Sequence, residues 1–230
     1  MALIGLLGRR RAGKDTVAKD LVENYGFVRM AFADVLKEFC ATRCSVPVAL
    51  FHDDDAKDAP CRGLGGKTPR QVIIEVADAA RARDPDCWVK ALAEKFKTIH
   101  DAGRSVVLSD VRYPNEYEWV KRNGGVLARV WRPGRRRPAP ARPLHAEAAG
   151  AVALEGTTGT AVDQAINAHT SETALLGAAV DRTLVNLSGE WAYLRTQTRA
   201  LAEQSGISPI HGFDFGARDD GGVLCGAGRS

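Results

Sequence analysis

GRRRAGKDT, at residues 8–16, is the stretch that decides how the rest of the chain is interpreted. It follows a short apolar run that ends at Leu7, and it precedes a segment whose apolar residues recur with helical spacing. A strand, a glycine-rich turn and a helix are the context that the pattern GxxxxGK[ST] requires, and that pattern binds phosphate groups. The alternative is a glycine-rich turn with a surface lysine. We therefore expect an α/β fold with a phosphate site after its first strand.

Each position of this loop has a predicted role. Glycines allow the backbone N–H groups to turn towards a phosphate, and the amino end of the following helix adds partial positive charge. Lys14 is expected to bridge two phosphates, while Thr16 serves the phosphate nearest the nucleoside. Asp15 stands where the pattern has Ser or Thr, so we expect it to approach Mg²⁺ directly or through water. The predicted phosphate-loop residues are Gly8, Arg11, Ala12, Gly13, Lys14, Asp15 and Thr16.

Apolar runs and helical stripes alternate along most of the chain. Strands are predicted at 2–7, 27–32, 105–109, 126–131 and 183–187, with helical stripes between and after them. This alternation predicts a five-stranded parallel sheet flanked by helices. We expect one domain at 1–204, with a basic lid insertion at 132–168, and a flexible tail at 205–230.

The composition limits the class of protein. The chain has 230 residues and a formal net charge of +4, and its basic surplus is concentrated at 9–11 and 129–142. Local positive charge favours a phosphate-bearing partner. No apolar run approaches the roughly 20 residues of a membrane span, and five cysteines, an odd number, favour a reducing compartment. We expect a cytoplasmic protein with no membrane segment.

The third predicted strand ends in Ser109-Asp110-Val111-Arg112. Ligands of open α/β sheets bind beyond the carboxyl ends of the strands. Asp110 is therefore expected to organise Mg²⁺, and Arg112 to neutralise a phosphoryl group during transfer. The alternative is an Asp–Arg pair that ties the strand end to a helix.

Several further motifs occur in a fixed order: GKDTVA, FADVLKEF, KTPRQ, RDPDCWV, SDVRYPNEYEWV, HTSE and VNLSGEW. Together they resemble the landmarks of the bacteriophage deoxynucleoside monophosphate kinases, over about residues 1–201. The resemblance implies a P-loop fold of the nucleoside monophosphate kinase type. It also implies transfer of the γ-phosphoryl group from ATP, with Mg²⁺, to a deoxynucleoside monophosphate.

The resemblance assigns the remaining site residues. Lys14, Asp110 and Arg112 would be catalytic, and Asn186 and Ser188 would lie in the loop that holds adenine. Arg70 and Arg83 would bind the monophosphate. Acceptor-side contacts are expected from Asp34, Lys37, Arg70, Arg83, Trp88, Arg132, His169 and Glu172.

Two other functions compete with this one. The basic loop also fits a P-loop kinase that acts on a hydroxymethylated base in phage DNA, or a nucleic-acid-binding module with a vestigial loop. The intact Lys14, Asp110 and Arg112 argue against the second. The expected partner is a small nucleotide and not a nucleic acid, and relatives of this kind suggest a homodimer.

Overall fold

The computed structural model describes residues 1–53, 55–133 and 173–210. The strands are β1 (Leu3–Leu7), β2 (Val28–Met30), β3 (Val106–Leu108), β4 (Val126–Trp131) and β5 (Arg182–Val185). The helices are α1 (Lys14–Tyr25), α2 (Phe32–Cys44), α3 (Ala49–His52), α4 (Pro69–Arg83), α5 (Cys87–Asp101), α6 (Pro114–Arg122) and α7 (Trp191–Gln204). Two 3₁₀ turns, Ala56–Asp58 and Arg62–Leu64, join α3 to α4.

The five strands form one sheet in the order β2-β3-β1-β4-β5. Every neighbouring pair is parallel, with Ile4 of β1 opposite Val107 of β3 on one side and Val126 of β4 on the other. The predicted five-stranded parallel α/β sheet is therefore confirmed, and it is consistent with a P-loop kinase fold. Because β1 is central, the loop after it lies in the middle of the sheet's carboxyl edge.

Alternate residues of β1 enter two different apolar clusters. Leu3 and Leu7 pack with Phe96 of α5 and the α6 side chains, whereas Ile4 and Leu6 pack with α1 and α7. Helices thus cover both faces, which explains why β1 is uniformly apolar. A third cluster, defined here as the helical subdomain core, lies among α2, α3, α4 and α5. It contains Leu36, Cys40, Phe51, Leu64, Val72, Ala77 and Trp88.

Local sequence explains where key helices begin. Thr68 caps α4 by accepting a hydrogen bond from the Gln71 N–H, and the Gln71 side chain accepts one from the Thr68 N–H in return. Pro69 and Pro114 occupy first-turn positions of α4 and α6, where the missing N–H has no cost. These caps fix the ends of the two helices that border the candidate site.

Some predicted boundaries differ from the structure. β2 is confined to Val28–Met30, because Phe32 already begins α2, and β5 ends at Val185. The predicted flexible tail begins too early at 205, because Ile207 packs against the α1–α7 cluster and the Ile210 N–H donates to the Asn24 carbonyl. Residues 211–230 of that tail lie outside the described residues. Within the described part of the chain, no helix has the length and apolar character to cross a membrane.

Candidate active site

The phosphate loop closes around its own lysine. The Lys14 Nζ donates to the carbonyl oxygens of Gly8 (2.7 Å) and Arg9 (3.0 Å), and the residue is only 6% exposed. Gly8, Arg11 and Gly13 all have positive φ (142°, 60° and 107°), so the chain turns sharply three times within six residues. The result is a compact loop with one ammonium group inside it.

The loop after β5, which carries Asn186 and Ser188, is hydrogen-bonded to the predicted phosphate loop. The Asn186 Nδ2 donates to the Ala12 carbonyl at 2.8 Å, and the Asn186 N–H donates to the Trp131 carbonyl at 2.8 Å. A Cβ built on Gly13 would collide with the Asn186 Nδ2. Residue 13 therefore has to be glycine both for its φ and for the close approach of this amide.

Arg132 lies directly after β4 and reaches the same region. Its Nε and Nη2 donate to the Ser188 Oγ at 3.2 Å and 2.7 Å. The predicted lid residue and the predicted adenine-loop residue are thus neighbours. The rest of the predicted lid, including the arginines at 135–137, lies outside the described residues, as do His169 and Glu172.

Asp110 connects the end of β3 to α2. Its Oδ1 accepts from the Phe32 N–H at 2.9 Å and its Oδ2 from the Ala33 N–H at 2.8 Å, so it satisfies the first two N–H groups of that helix. Burial raises the pKa of this carboxyl despite the two hydrogen bonds and the nearby Arg112. Asp110 therefore links the end of β3 to a helix, which resembles the structural alternative to a magnesium role. Each of its carboxylate oxygens already accepts one hydrogen bond. The magnesium role of Asp110 stays a prediction.

Glu116 organises the turn that follows Asp110. Its Oε2 accepts from the N–H groups of Arg112 (2.7 Å) and Tyr113 (3.1 Å), and burial raises its pKa to about 8, with Asp110 adding to the shift. The backbone that carries Arg112 is therefore fixed by a buried carboxyl. Sequence analysis missed Glu116, although Glu two residues after Pro114 in the first helical turn is a capping signal.

The first acceptor-side candidates form one exposed network of charges. The Asp34 Oδ2 accepts from the Arg29 Nη1 at 2.8 Å, and the Lys37 Nζ lies 3.9 Å from the Asp34 Oδ1 and 3.3 Å from the His52 Nδ1. Asp34 and Lys37 are thus neighbours on α2. Their contact with a nucleotide stays a prediction.

Arg70 and Arg83 occupy opposite ends of α4. Thirteen residues separate them, which is about 20 Å along the axis, and they point to different sides of the helix. The Arg70 Nε and Nη2 donate to the two carboxylate oxygens of Asp58 at 2.5 Å and 3.0 Å, whereas Arg83 is exposed in the last turn. The structure therefore does not bring these two arginines together, and the contact of either with a monophosphate stays a prediction.

Trp88 lies in the helical subdomain core and is 6% exposed. Its ring meets the ring of Phe39 edge-on, with centroids 5.8 Å apart, and its buried Nε1 has no hydrogen-bond partner among the described residues. Asp86 is the N-cap residue of α5 but makes no cap bond, and its Oδ1 accepts from the Asn115 Nδ2 instead. Trp88 is placed as a core residue, and its substrate role stays a prediction.

Arg81 is a second residue that sequence analysis missed. Its guanidinium carbon lies 3.9 Å from the centroid of the Tyr113 ring, next to the turn that Glu116 fixes. Its position in the segment ARARDPD gave no indication that it would meet Tyr113.

The first turn of α1 exposes two side chains beside the loop, Asp15 and Thr16. Carboxylate and hydroxyl oxygens are ligands that Mg²⁺ prefers. In the residues that the structure describes, no group of three or more His, Cys, Asp and Glu side chains is arranged to hold a metal. A magnesium ion with few protein ligands and several waters and phosphate oxygens fits Asp15 at this position.

Comparisons with known proteins gave one relative by sequence and one by structure. No family model matches the chain. A solved, unliganded sugar kinase structure from Janibacter sp. HTCC2649 is 15% identical, with a TM-score of 0.44 over 88% of this chain and 95% of that one. A protein of Acanthamoeba polyphaga mimivirus, named "Putative deoxynucleotide monophosphate kinase", is 31% identical over 146 residues, which are 58% of this chain and 76% of the viral protein. This chain belongs to the same kinase family as that viral protein.

Proposed function

We propose that this protein transfers the γ-phosphoryl group of ATP to a deoxynucleoside 5′-monophosphate in a Mg²⁺-dependent reaction. The observation that carries the proposal is the phosphate loop, in which the Lys14 ammonium is held by the Gly8 and Arg9 carbonyls at the centre of the sheet's carboxyl edge. The name of the viral relative supports the acceptor class.

In this proposal Lys14 and Arg112 supply positive charge on two sides of the transferring group. Phosphoryl transfer depends on positioning and on neutralising the charge of the equatorial oxygens. Lys14 would exchange its two carbonyl partners for phosphate oxygens. The ionised acceptor phosphate is itself the nucleophile, so no general base is required.

A bound Mg²⁺ would supply positive charge that offsets the charge of the phosphate oxygens. Asp15 is the protein residue that we propose for its coordination. Asp110 would act through water, because its two oxygens already accept from Phe32 and Ala33.

The nucleoside of ATP would lie against the loop after β5. Asn186 positions this loop by bonding Ala12, and Ser188 bonds Arg132 at the start of the proposed lid. We propose that residues 1–204 act as one catalytic unit, with the insertion at 132–168 covering the site.

The test is an ADP-release assay with ATP, Mg²⁺ and each of dTMP, dGMP, dCMP, dAMP and hydroxymethyl-dCMP. Turnover with at least one monophosphate, and none with the matching nucleoside, is the expected result. A parallel reaction follows the label of [γ-³²P]ATP into hydroxymethylated duplex DNA. Transfer to DNA without transfer to free monophosphates would overturn the proposal.

A further inference from the structure

We propose that Gln197 is a positioning residue for the donor nucleotide, because its side-chain amide fixes the end of β5 from which Asn186 reaches the phosphate loop. The inference deepens the proposed function and rests on it. It gives a role to α7, a helix in which the sequence predicted no site residue.

The amide of Gln197 pairs with the backbone of a single strand residue. Its Oε1 accepts from the Val185 N–H at 2.8 Å, and its Nε2 donates to the Val185 carbonyl oxygen at 2.9 Å. The Nε2 also lies 3.3 Å from the Tyr193 carbonyl oxygen of its own helix, to which it donates. Among the described residues β5 is an edge strand. Gln197 therefore gives Val185 the two hydrogen bonds that a further strand would otherwise give it.

A primary amide is the side-chain group that suits this position. It carries an acceptor oxygen and donor N–H groups on one planar unit, so it can bond a backbone N–H and a carbonyl together. A carboxylate of the same length only accepts, and the thioether of methionine is a weak acceptor without a donor. Replacements at residue 197 therefore separate the length of the side chain from its hydrogen bonds.

The residue that Gln197 holds directly precedes Asn186. The Asn186 N–H donates to the Trp131 carbonyl of β4, and its Nδ2 donates to the Ala12 carbonyl of the phosphate loop, both at 2.8 Å. The Asn186 amide also approaches Gly13 so closely that a Cβ on that glycine would collide with it. Displacement of Val185 would therefore move the Asn186 amide against the phosphate loop or away from it.

The rest of the β5 loop has less support. Residues 187–190 are all exposed, whereas Val185 and Asn186 are half-buried. The position of the loop is thus set at its beginning, where Gln197 and Asn186 form their bonds. Because the nucleoside of ATP is proposed to lie against this loop, Gln197 acts on the donor side of the site and not on the acceptor side.

Gln204 provides the matched control. It lies seven residues further along α7, about two turns, so it shares the helix face of Gln197. It also contacts β5, since its Oε1 accepts from the Arg182 Nε at 2.8 Å, but at the opposite end of the strand and through a side chain. Gln197→Met and Gln204→Met remove the same group from the same helix. Only the first removes it from the residue next to Asn186.

The experiment measures the binding of ATP with Mg²⁺ by calorimetry, together with kcat, the KM for ATP and the KM for the monophosphate that turns over fastest. We expect Gln197→Met to weaken ATP binding and to raise the KM for ATP by about fivefold, the effect of about one net hydrogen bond. The kcat and the acceptor KM are expected to stay within about twofold, as are all values for Gln204→Met. Unchanged ATP binding in Gln197→Met, or an equal loss in Gln204→Met, would overturn the inference.

A double-mutant cycle distinguishes positioning from a general structural role. If Gln197 acts through Asn186, Gln197→Met adds little to the loss of ATP affinity that Asn186→Ala causes, whereas independent contributions would multiply to about 25-fold. Multiplied losses in the double variant contradict the positioning role. So does a rise in acceptor KM as large as the rise in the KM for ATP.

Gln197→Glu is the second variant, and it keeps the length and the accepting oxygen of the side chain. It places a second oxygen against the Val185 carbonyl, so we expect ATP affinity to fall at least as much as in Gln197→Met. Wild-type ATP affinity in Gln197→Glu would contradict the inference. Thermal unfolding shows which variants are folded, and unfolding of both would mark Gln197 as purely structural. A wild type that binds ATP but phosphorylates no monophosphate ends the proposed function, while the calorimetry still decides the role of Gln197.

Discussion

The two sides of the candidate site, the proposed donor side and the proposed acceptor side, are built by different means. On the donor side, the side chains are held by hydrogen bonds to the backbone: Lys14 donates to two carbonyl oxygens, and Asn186 donates to a third. On the acceptor side, charged side chains meet charged side chains, as in the pairs Arg70–Asp58 and Arg29–Asp34. The donor side is therefore fixed by the path of the chain, whereas the acceptor side is held by contacts that a nucleotide can exchange for its own.

Replacing Lys14 with Ala tests the donor side most severely. We expect kcat to fall by about 10³-fold, because one preorganised charge is lost from the transition state while little packing changes. Lys19→Ala is the control, since that residue lies on the same helix, is exposed and pairs only weakly with Glu23. A steady-state assay, with circular dichroism to verify the fold, checks the prediction. Activity of Lys14→Ala near that of the control would contradict it.

Replacing Glu116 with Gln tests how the acceptor-side turn is held. The raised pKa means that folded Glu116 keeps its proton up to about pH 8, whereas the unfolded group ionises near 4.5. The wild type thus loses stability as pH rises between these values, by up to about 1.4 kcal/mol per pH unit. Glutamine accepts the same N–H bonds without titrating. Between pH 5.5 and pH 7.5 the free energy of unfolding of the variant is therefore expected to rise by about 2 kcal/mol relative to that of the wild type. Urea unfolding at the two pH values measures this gain, and parallel pH dependence in both proteins would rule it out.

Asn186→Ala breaks the bond between the β5 loop and the phosphate loop. A partly buried hydrogen bond of this kind contributes about 1 kcal/mol, so we expect the KM for ATP to rise about fivefold. The acceptor KM is expected to stay constant, because Asn186 contacts only the donor side. Equal changes in both KM values would remove the distinction between the two sides.

Asp58→Asn is expected to have the smallest effect, and it is expected to lower a KM where Asn186→Ala raises one. If the Asp58–Arg70 pair is exchanged on nucleotide binding, weakening it lowers acceptor KM by about two- to threefold, as expected for a partly exposed ion pair. Glu75→Gln, which disrupts the exposed pair with Lys67 near the start of the same helix, is the control. A rise in acceptor KM would show that the pair orders the site instead.

The strand, turn and helix of the proposed donor side could be predicted from the sequence because their determinants are local. A glycine pattern, a strand before it and a helix after it are all contiguous, and the five-stranded sheet follows from the alternation of elements. Asn186 and Ser188 were placed by resemblance to a family, and the structure brings both next to predicted residues. Their contact with ATP stays a prediction.

The acceptor side was predicted less well because its contacts are long-range. That Arg81 would lie over the Tyr113 ring depends on how α4 is rotated about its axis, which no local pattern gives. Asp58 lies in a short 3₁₀ turn without apolar periodicity, so nothing indicated that it would meet Arg70. Glu116 was not singled out from the sequence, because its burial depends on α6 packing against the sheet.

The two hydrogen bonds that Asp110 accepts from α2 have a consequence for mutational scans. A screen that reads enzyme activity alone will group Asp110 with Lys14, because both substitutions abolish the signal. A screen that also reads protein abundance in cells will separate them, since Asp110 substitutions leave the first two N–H groups of α2 unsatisfied and lower the amount of folded protein. Intolerance of substitution at Asp110 in such a scan would therefore indicate a role in folding first, and a role in the reaction only second.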